Sequence, residues 1–168
     1  TLSGAFAAGD TVSCSVTPHD GSLAGTPMSD SVVIGNTAPA VTDVTISPDP
    51  AVVADTLTCS YNFADIDGNA DASTIQWTVG STSAGTGAQL AGVFAAGDTV
   101  TCTVTPHDGV LSGAPMSDSI VIENSAPTVA DVEISPDPAV VSDTLTCAYS
   151  FADVDGNADG STVAWAVN

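Results

Sequence analysis

The sequence contains no lysine and no arginine, whereas it has 20 acidic residues and a formal net charge of −20. Nucleic acid is bound by cationic side chains that replace the counterions of its phosphates, so we expect no nucleic-acid partner. Electrostatic attraction to an anionic lipid surface needs the same cations and is equally unexpected. An acidic chain can instead collect divalent cations and keep neighbouring chains apart by repulsion.

Long apolar runs and catalytic motifs are also missing. No run of 18 apolar residues occurs, so we expect no membrane span in this sequence. There is no phosphate-binding loop, no dinucleotide-binding fingerprint and no nucleophile elbow. The two histidines, His19 and His107, each lie alone in a turn-like segment. The sequence therefore predicts that the protein is not an enzyme.

An internal repeat with a period of 88 residues dominates what is present. Residues 6–10 recur as residues 94–98, and 57 of the 80 positions are identical when residues 1–80 are aligned with residues 89–168 without a gap. A unit of this length is typical of a small sandwich domain. We therefore expect tandem copies of one domain.

Apolar residues alternate with polar ones at a period of two, which indicates half-buried strands. The alternation places Val44 and Ile46 on the inner face of one strand. Turn-forming segments rich in glycine, proline and aspartate separate the strands. The predicted fold class is all-β, an antiparallel β-sandwich. The inward-facing residues of two further strands are Leu57, Cys59, Tyr61 and Phe63, followed by Val100, Cys102 and Val104.

The four cysteines are regularly spaced, and none forms a Cys-x-x-Cys pair. Such spacing in an acidic chain rich in serine and threonine favours disulfides and an oxidising compartment over free thiols or zinc. The order Cys59, Trp77, Cys102 resembles the signature of the immunoglobulin fold. The repetition, the Asn-x-Ala-Pro junctions and an aspartate-rich loop are similar to the tandem immunoglobulin-like, PKD-like and cadherin-like repeats of large prokaryotic surface proteins.

This resemblance implies a Cys59–Cys102 disulfide that bridges two sheets, with Trp77 packed on it. Trp165 is expected to take the same core position in the second copy. The resemblance also implies an extracellular or cell-surface location. Cys14 and Cys147 have no partner within their own segments, and the repeat pairs Cys147 with the Cys14 equivalent of a following unit.

The junctions predict three segments. Residues 1–36 are the C-terminal half of one immunoglobulin-like domain, residues 37–124 are a complete domain, and residues 125–168 are the N-terminal half of another. Neither half is expected to bury enough core to fold well alone. The expected partners are neighbouring repeats or identical subunits arranged head to tail, which complete the split domains. A slice of a long covalent array and subunits that complement one another along a filament both fit this pattern.

An acidic loop after the second predicted strand of each copy offers oxygen ligands at alternate positions, as calcium prefers. The alternative is a solvated turn, in which aspartate, asparagine and glycine are common anyway. Three other aspartates, Asp49, Asp108 and Asp137, are interpreted as exposed turn residues, with ligands at the junctions as the alternative. The candidate calcium ligands are Asp65, Asp67, Asn69 and Asp71, with Asp153, Asp155, Asn157 and Asp159 in the second copy.

Together these features predict a structural protein, namely a disulfide-stapled and calcium-stabilised repeat of an extracellular fibre, filament or surface stalk. The alternative is an adhesive module that recognises sugar or protein through its loop tips. Clustered exposed aromatic residues would favour the alternative, but Trp77 and Tyr61 are both expected in the core.

Overall fold

A computed structural model describes residues 1–4 and 6–167, and within them the chain consists of β-strands and turns without a helix. Accordingly, no described segment forms a helix able to cross a membrane. The strands in this part of the chain are β1 (Thr11–Val16), β2 (Met28–Val33), β3 (Ala40–Ser47), β4 (Ala51–Val52), β5 (Thr56–Ala64), β6 (Thr74–Val79), β7 (Thr82–Thr86), β8 (Gln89–Ala91), β9 (Thr99–Thr105), β10 (Met116–Glu123), β11 (Thr128–Ser135) and β12 (Thr146–Ala152).

The described strands form four sheets. A five-stranded sheet has the order β4-β10-β9-β6-β7, and a three-stranded sheet has the order β3-β5-β8. The hairpin strands β1 and β2 pair with each other, as do β11 and β12. Pairing is antiparallel in β1–β2, β5–β8, β6–β7 and β11–β12, whereas β4 lies parallel to β10. The predicted all-β class is confirmed, and the arrangement is consistent with a β-sandwich.

The chain forms two compact units, each built from three separate segments. The first unit contains Thr1–Val44, Ser60–Ile75 and Thr103–Ser117. The second contains Thr45–Cys59, Gln76–Cys102 and Asp118–Asn168. The boundaries predicted from the sequence at residues 36 and 124 stay predictions.

Burial follows the predicted alternation most clearly in β9, where Val100, Cys102 and Val104 are buried and the two residues between them are half-buried. In β3 the alternation is interrupted. Val41 and Ile46 are buried while Val44 is only half-buried. The interruption falls at Asp43, whose φ of 54° lies in the left-handed region that aspartate tolerates better than most residues. A residue in that conformation breaks the extended path and changes which side chains face inward.

Among the described residues, the buried apolar side chains all come from the middle of the chain. They are Val41, Ile46, Ala51, Leu57, Cys59, Trp77, Leu90, Phe94, Val100, Cys102, Val104, Ile120 and Ile122. All of them lie between residues 37 and 124, the segment predicted to be a complete domain. Many of their counterparts 88 positions away are exposed, including Val16, Val32, Val129 and Ile134.

Candidate functional site

The disulfide predicted from the resemblance is present. Cys59 on β5 and Cys102 on β9 are bonded, with their Cα atoms 6.3 Å apart. Since β5 belongs to the three-stranded sheet and β9 to the five-stranded sheet, the bond connects the two sheets. Trp77 on β6 is fully buried, and its indole Nε1 donates a hydrogen bond to the carbonyl oxygen of Gly87 at 2.8 Å. A buried indole N–H normally finds such an acceptor.

Trp165, which was predicted to take the core position of Trp77, is 52% exposed in the described part of the chain. Its place in the core of a repeat stays a prediction. Cys14 is a free, exposed cysteine, and Cys147 is a free, half-buried one. The pairing of these two cysteines with neighbouring units therefore stays a prediction.

The acidic loop of the first copy connects β5 to β6 and is folded around Asp65. One carboxylate oxygen of Asp65, Oδ1, accepts hydrogen bonds from the backbone N–H groups of Asp67 at 2.8 Å and Asn69 at 3.2 Å. This is the local turn chemistry that favours aspartate at the start of a loop. Asp67 reaches outside the loop, because its Oδ2 accepts a hydrogen bond from the backbone N–H of Thr37 at 2.6 Å.

Asp71, the fourth candidate ligand of the first copy, accepts hydrogen bonds at the end of the loop. Its carboxylate accepts hydrogen bonds from the Tyr61 hydroxyl at 2.9 Å and the Ser73 N–H at 2.8 Å. Partial burial raises the pKa of Asp71, but the hydrogen bonds from Ser73 and Tyr61 outweigh it and leave that pKa below its ordinary value. Burial, and then the nearby Asp71 carboxylate, raise the pKa of Tyr61. The hydrogen bonds of Asp71 thus hold the end of the loop in place.

The second copy repeats these contacts 88 positions later. Asp153 Oδ1 accepts hydrogen bonds from the N–H groups of Asp155 at 2.8 Å and Asn157 at 3.2 Å. Asp155 Oδ2 accepts one from the N–H of Ser125. Asp159 accepts one from the Tyr149 hydroxyl at 2.9 Å. Both loops therefore hold the linker residue that follows the junction asparagine.

Some oxygens of the two loops are buried without a hydrogen-bond partner. In the first copy these are Asp65 Oδ2 and Asn69 Oδ1, and in the second copy Asp155 Oδ1. Buried acceptors are normally satisfied, so each of these is open to a donor or a cation. Among the described residues, however, no three His, Cys, Asp or Glu side chains come together as a metal-ion group.

Asp108 is the junction residue that the sequence interpretation missed. It was expected to be an exposed turn residue, but only 6% of its surface is exposed. Its Oδ1 accepts hydrogen bonds from the N–H groups of Val110 at 2.7 Å and Leu111 at 2.6 Å, and its Oδ2 accepts one from Asn36 Nδ2 at 2.6 Å. The first two contacts recur at Asp20, but the asparagine contact does not, and Asp20 is exposed.

The hydrogen bonds of Asp108 favour its ionised form. The Leu111 N–H contributes most to lowering the pKa of Asp108, burial opposes it, and the Asn36 amide and the Val110 N–H lower the pKa further. A carboxyl whose pKa is lower in the folded state stabilises the fold above its ordinary pKa. That contribution is lost as the pH falls through the folded-state value.

Gly113 lets the linker approach the same turn. A Cβ atom at Gly113 would overlap the carbonyl oxygen of Pro39, which is a buried residue of the Asn-x-Ala-Pro junction. We call Asn36, Thr37, Pro39, Asp67, Asp108 and Gly113 the junction cluster. All six residues lie in the first compact unit. The repeated Asn-x-Ala-Pro sequence was the signal that could have located this cluster.

No protein-family model, curated protein or solved structure matches this chain.

Proposed function

We propose that this chain is a structural repeat of an extracellular fibre, filament or surface stalk, built from tandem immunoglobulin-like sandwiches. The disulfide fits an oxidising compartment, and the all-β sheets joined by that bond fit a sandwich. Near-identical repeats extend reach without adding chemistry, which suits a spacer better than a catalyst. The adhesive alternative and the absence of enzymatic activity stay predictions.

The repeated fastening of the linker is the observation that carries this proposal. The N–H of Thr37 donates to Asp67, and the N–H of Ser125 donates to Asp155 in the same way. At the first junction Asn36 and Asp108 add a second hydrogen bond. A linker held by its backbone is fixed to the repeat that follows it, which removes part of the conformational freedom between repeats. Reduced freedom at the junctions suits a stalk or fibre.

Replacing Asp67 with alanine is expected to remove the hydrogen bond that holds the linker at the first junction and to leave the second junction unchanged. The Thr37 amide then loses its acceptor, and a hydrogen bond to a charged group contributes about 1.5–3 kcal/mol. Amide hydrogen exchange of Thr37, measured by NMR, should accelerate by roughly tenfold or more. The Ser125 amide is the matched control within the same chain, because Asp155 still accepts its hydrogen bond. Unchanged exchange at Thr37 would mean that the junction is not fastened, and the spacer proposal would lose its main support.

Calcium is the second component of the proposal. Asp65, Asp67 and Asn69 fit a hard cation because two of their buried oxygens have no other partner, and the chain has no lysine or arginine to neutralise the carboxylates. Asp153, Asp155 and Asn157 are the counterparts in the second copy. We leave Asp71 and Asp159 out of the proposed ligand set, because their carboxylates already accept hydrogen bonds from tyrosine hydroxyls.

Adding calcium is expected to raise the melting temperature of the disulfide-intact protein. Extracellular calcium modules bind with dissociation constants of about 0.1–1 mM. At 10 mM calcium this range corresponds to about 1.4–2.7 kcal/mol of added stability, or roughly 6–22 °C for a domain of this size. Differential scanning calorimetry in EDTA and in calcium would measure the shift. Asp65→Asn should abolish most of the calcium-dependent shift in melting temperature, whereas Asp49→Asn, at an exposed position, should leave the shift unchanged. Equal melting temperatures in both buffers would mean that the loops are ordinary turns that bind no calcium.

A further inference from the structure

The acidic residues are spread unevenly along the chain. Residues 72–97 contain no charged side chain, and this is the longest uncharged stretch of the sequence. Most of it folds into three strands, β6, β7 and β8. One part of residues 37–124 is therefore free of the negative charge that the rest of the chain carries.

Two of these strands lie at sheet edges. β7 is an edge strand of the five-stranded sheet and β8 is one of the three-stranded sheet, and the opposite edges are β4 and β3. Natural edge strands are commonly kept from pairing with other chains by proline, charge, shortness or an irregular backbone. The opposite edges have these features, because the two-residue β4 follows Pro48 and Pro50, and because Asp43 in β3 has a φ of 54°. Neither β7 nor β8 contains a proline or a charged residue.

β7 is held in its sheet from one side. Its one irregularity is a bulge, which leaves Ala84 without a partner on β6. The Gln76 side chain fastens this bulge, because its Nε2 donates hydrogen bonds to Ser83 Oγ and to the Gly85 carbonyl oxygen, both at 2.9 Å. No described strand pairs with the other side of β7. The backbone N–H and C=O groups on that side are thus held in place by the sheet and are open to a further strand.

The absence of charge on β7 favours a second copy of the chain as its partner. A chain with a net charge of −20 repels another copy of itself over most of its surface. β7 instead exposes the hydroxyl side chains of Thr82, Ser83 and Thr86, and such side chains hydrogen-bond to one another across paired strands. Because a twofold contact sets two identical surfaces against each other, an uncharged strand rich in hydroxyl groups is complementary to itself.

We infer that β7 pairs antiparallel with β7 of a second copy of this chain, which joins the two five-stranded sheets side by side. This contact goes beyond the spacer proposal, since it links neighbouring fibres laterally rather than successive repeats within one fibre. The strand of the second copy supplies hydrogen-bond partners for the outer side of β7. Because β7 is short, the contact is weak between single repeats and becomes stronger when several repeats align.

Sedimentation velocity of the chain with Cys14→Ala and Cys147→Ala measures this association without any contribution from the free thiols. Sodium chloride screens the repulsion between copies, so the dissociation constant of the dimer should fall roughly tenfold between about 0.01 M and 0.5 M salt. Ser83→Asp places a carboxylate in each half of the contact and should raise that constant roughly tenfold or more. The matched variant Ser119→Asp adds the same charge to an exposed position of β10, in the same sheet, and should leave the constant unchanged.

Amide hydrogen exchange identifies the strand that forms the contact. Exchange of the β7 amides should slow at protein concentrations at which dimers form, whereas exchange of the β4 amides should stay the same. A chain that remains monomeric at high salt, a dimer whose β7 amides are not protected, or equal weakening by Ser83→Asp and Ser119→Asp would each overturn the inference. Unchanged urea midpoints would verify that both variants are folded. None of these measurements depends on the Thr37 amide, so the spacer proposal and this inference can fail separately.

Discussion

Reducing the Cys59–Cys102 disulfide is expected to lower the free energy of unfolding by about 4 kcal/mol, the value that chain entropy assigns to a loop of this length. The bonded cysteines are 43 residues apart, so the bond strongly restricts the unfolded chain. Small domains have total stabilities of about 5–15 kcal/mol. The melting temperature should therefore fall by roughly 15–30 °C.

The measurement is urea denaturation followed by circular dichroism, with and without a reductant. The double variant Cys59→Ala, Cys102→Ala should behave like the reduced protein and should not respond to the reductant. The control variant Cys14→Ala, Cys147→Ala removes the free thiols, and it should retain the full difference between oxidised and reduced forms. If reduction left the urea midpoint unchanged, the bond would contribute little to stability, and the description of the chain as disulfide-stapled would be wrong.

Trp77→Ala is expected to destabilise the protein by about 3–5 kcal/mol, as is usual for removing a large aromatic side chain from a core. The substitution leaves a cavity and also leaves the carbonyl oxygen of Gly87 without its donor. Trp165→Ala is the matched control, because it removes the same side chain from the corresponding position of the second copy. Because half of the Trp165 surface is already in solvent, Trp165→Ala should lower the free energy of unfolding by less than about 1 kcal/mol.

Both tryptophan variants would be compared in urea at a protein concentration at which the chain is monomeric. Equal losses of stability would mean that Trp165 is packed in the isolated chain.

The all-β class was predicted from the alternation of apolar and polar residues, whereas the Cys59–Cys102 bond and the burial of Trp77 were predicted from the resemblance to the immunoglobulin signature. The interruption of the alternation in β3 could not be predicted, since Asp43 adopts a left-handed conformation that depends on its surroundings in the fold. Likewise, two very short strands, β4 and β8, have too few residues to show a pattern.

The candidate site was predicted less completely than the fold. The acidic loops were located correctly as sequence features, but the alternation of oxygens along the chain suggested that all four residues act together. In the structure, however, Asp71 accepts a hydrogen bond from Tyr61, and Asp67 accepts one from the backbone of the linker. The burial of Asp108 depends on Asn36, which lies 72 positions away in sequence. Such a contact between distant segments leaves no periodic signal in either of them.

The position of the disulfide also sets how far one repeat can lengthen under load. An 88-residue repeat pulled fully straight would span roughly 300 Å. The bond prevents 43 residues of the repeat from extending, so the maximum length of an oxidised repeat is roughly 150 Å. Each oxidised repeat thus has about half the extensibility of a reduced one, and the redox state of its surroundings determines how far the chain stretches before its covalent backbone carries the force.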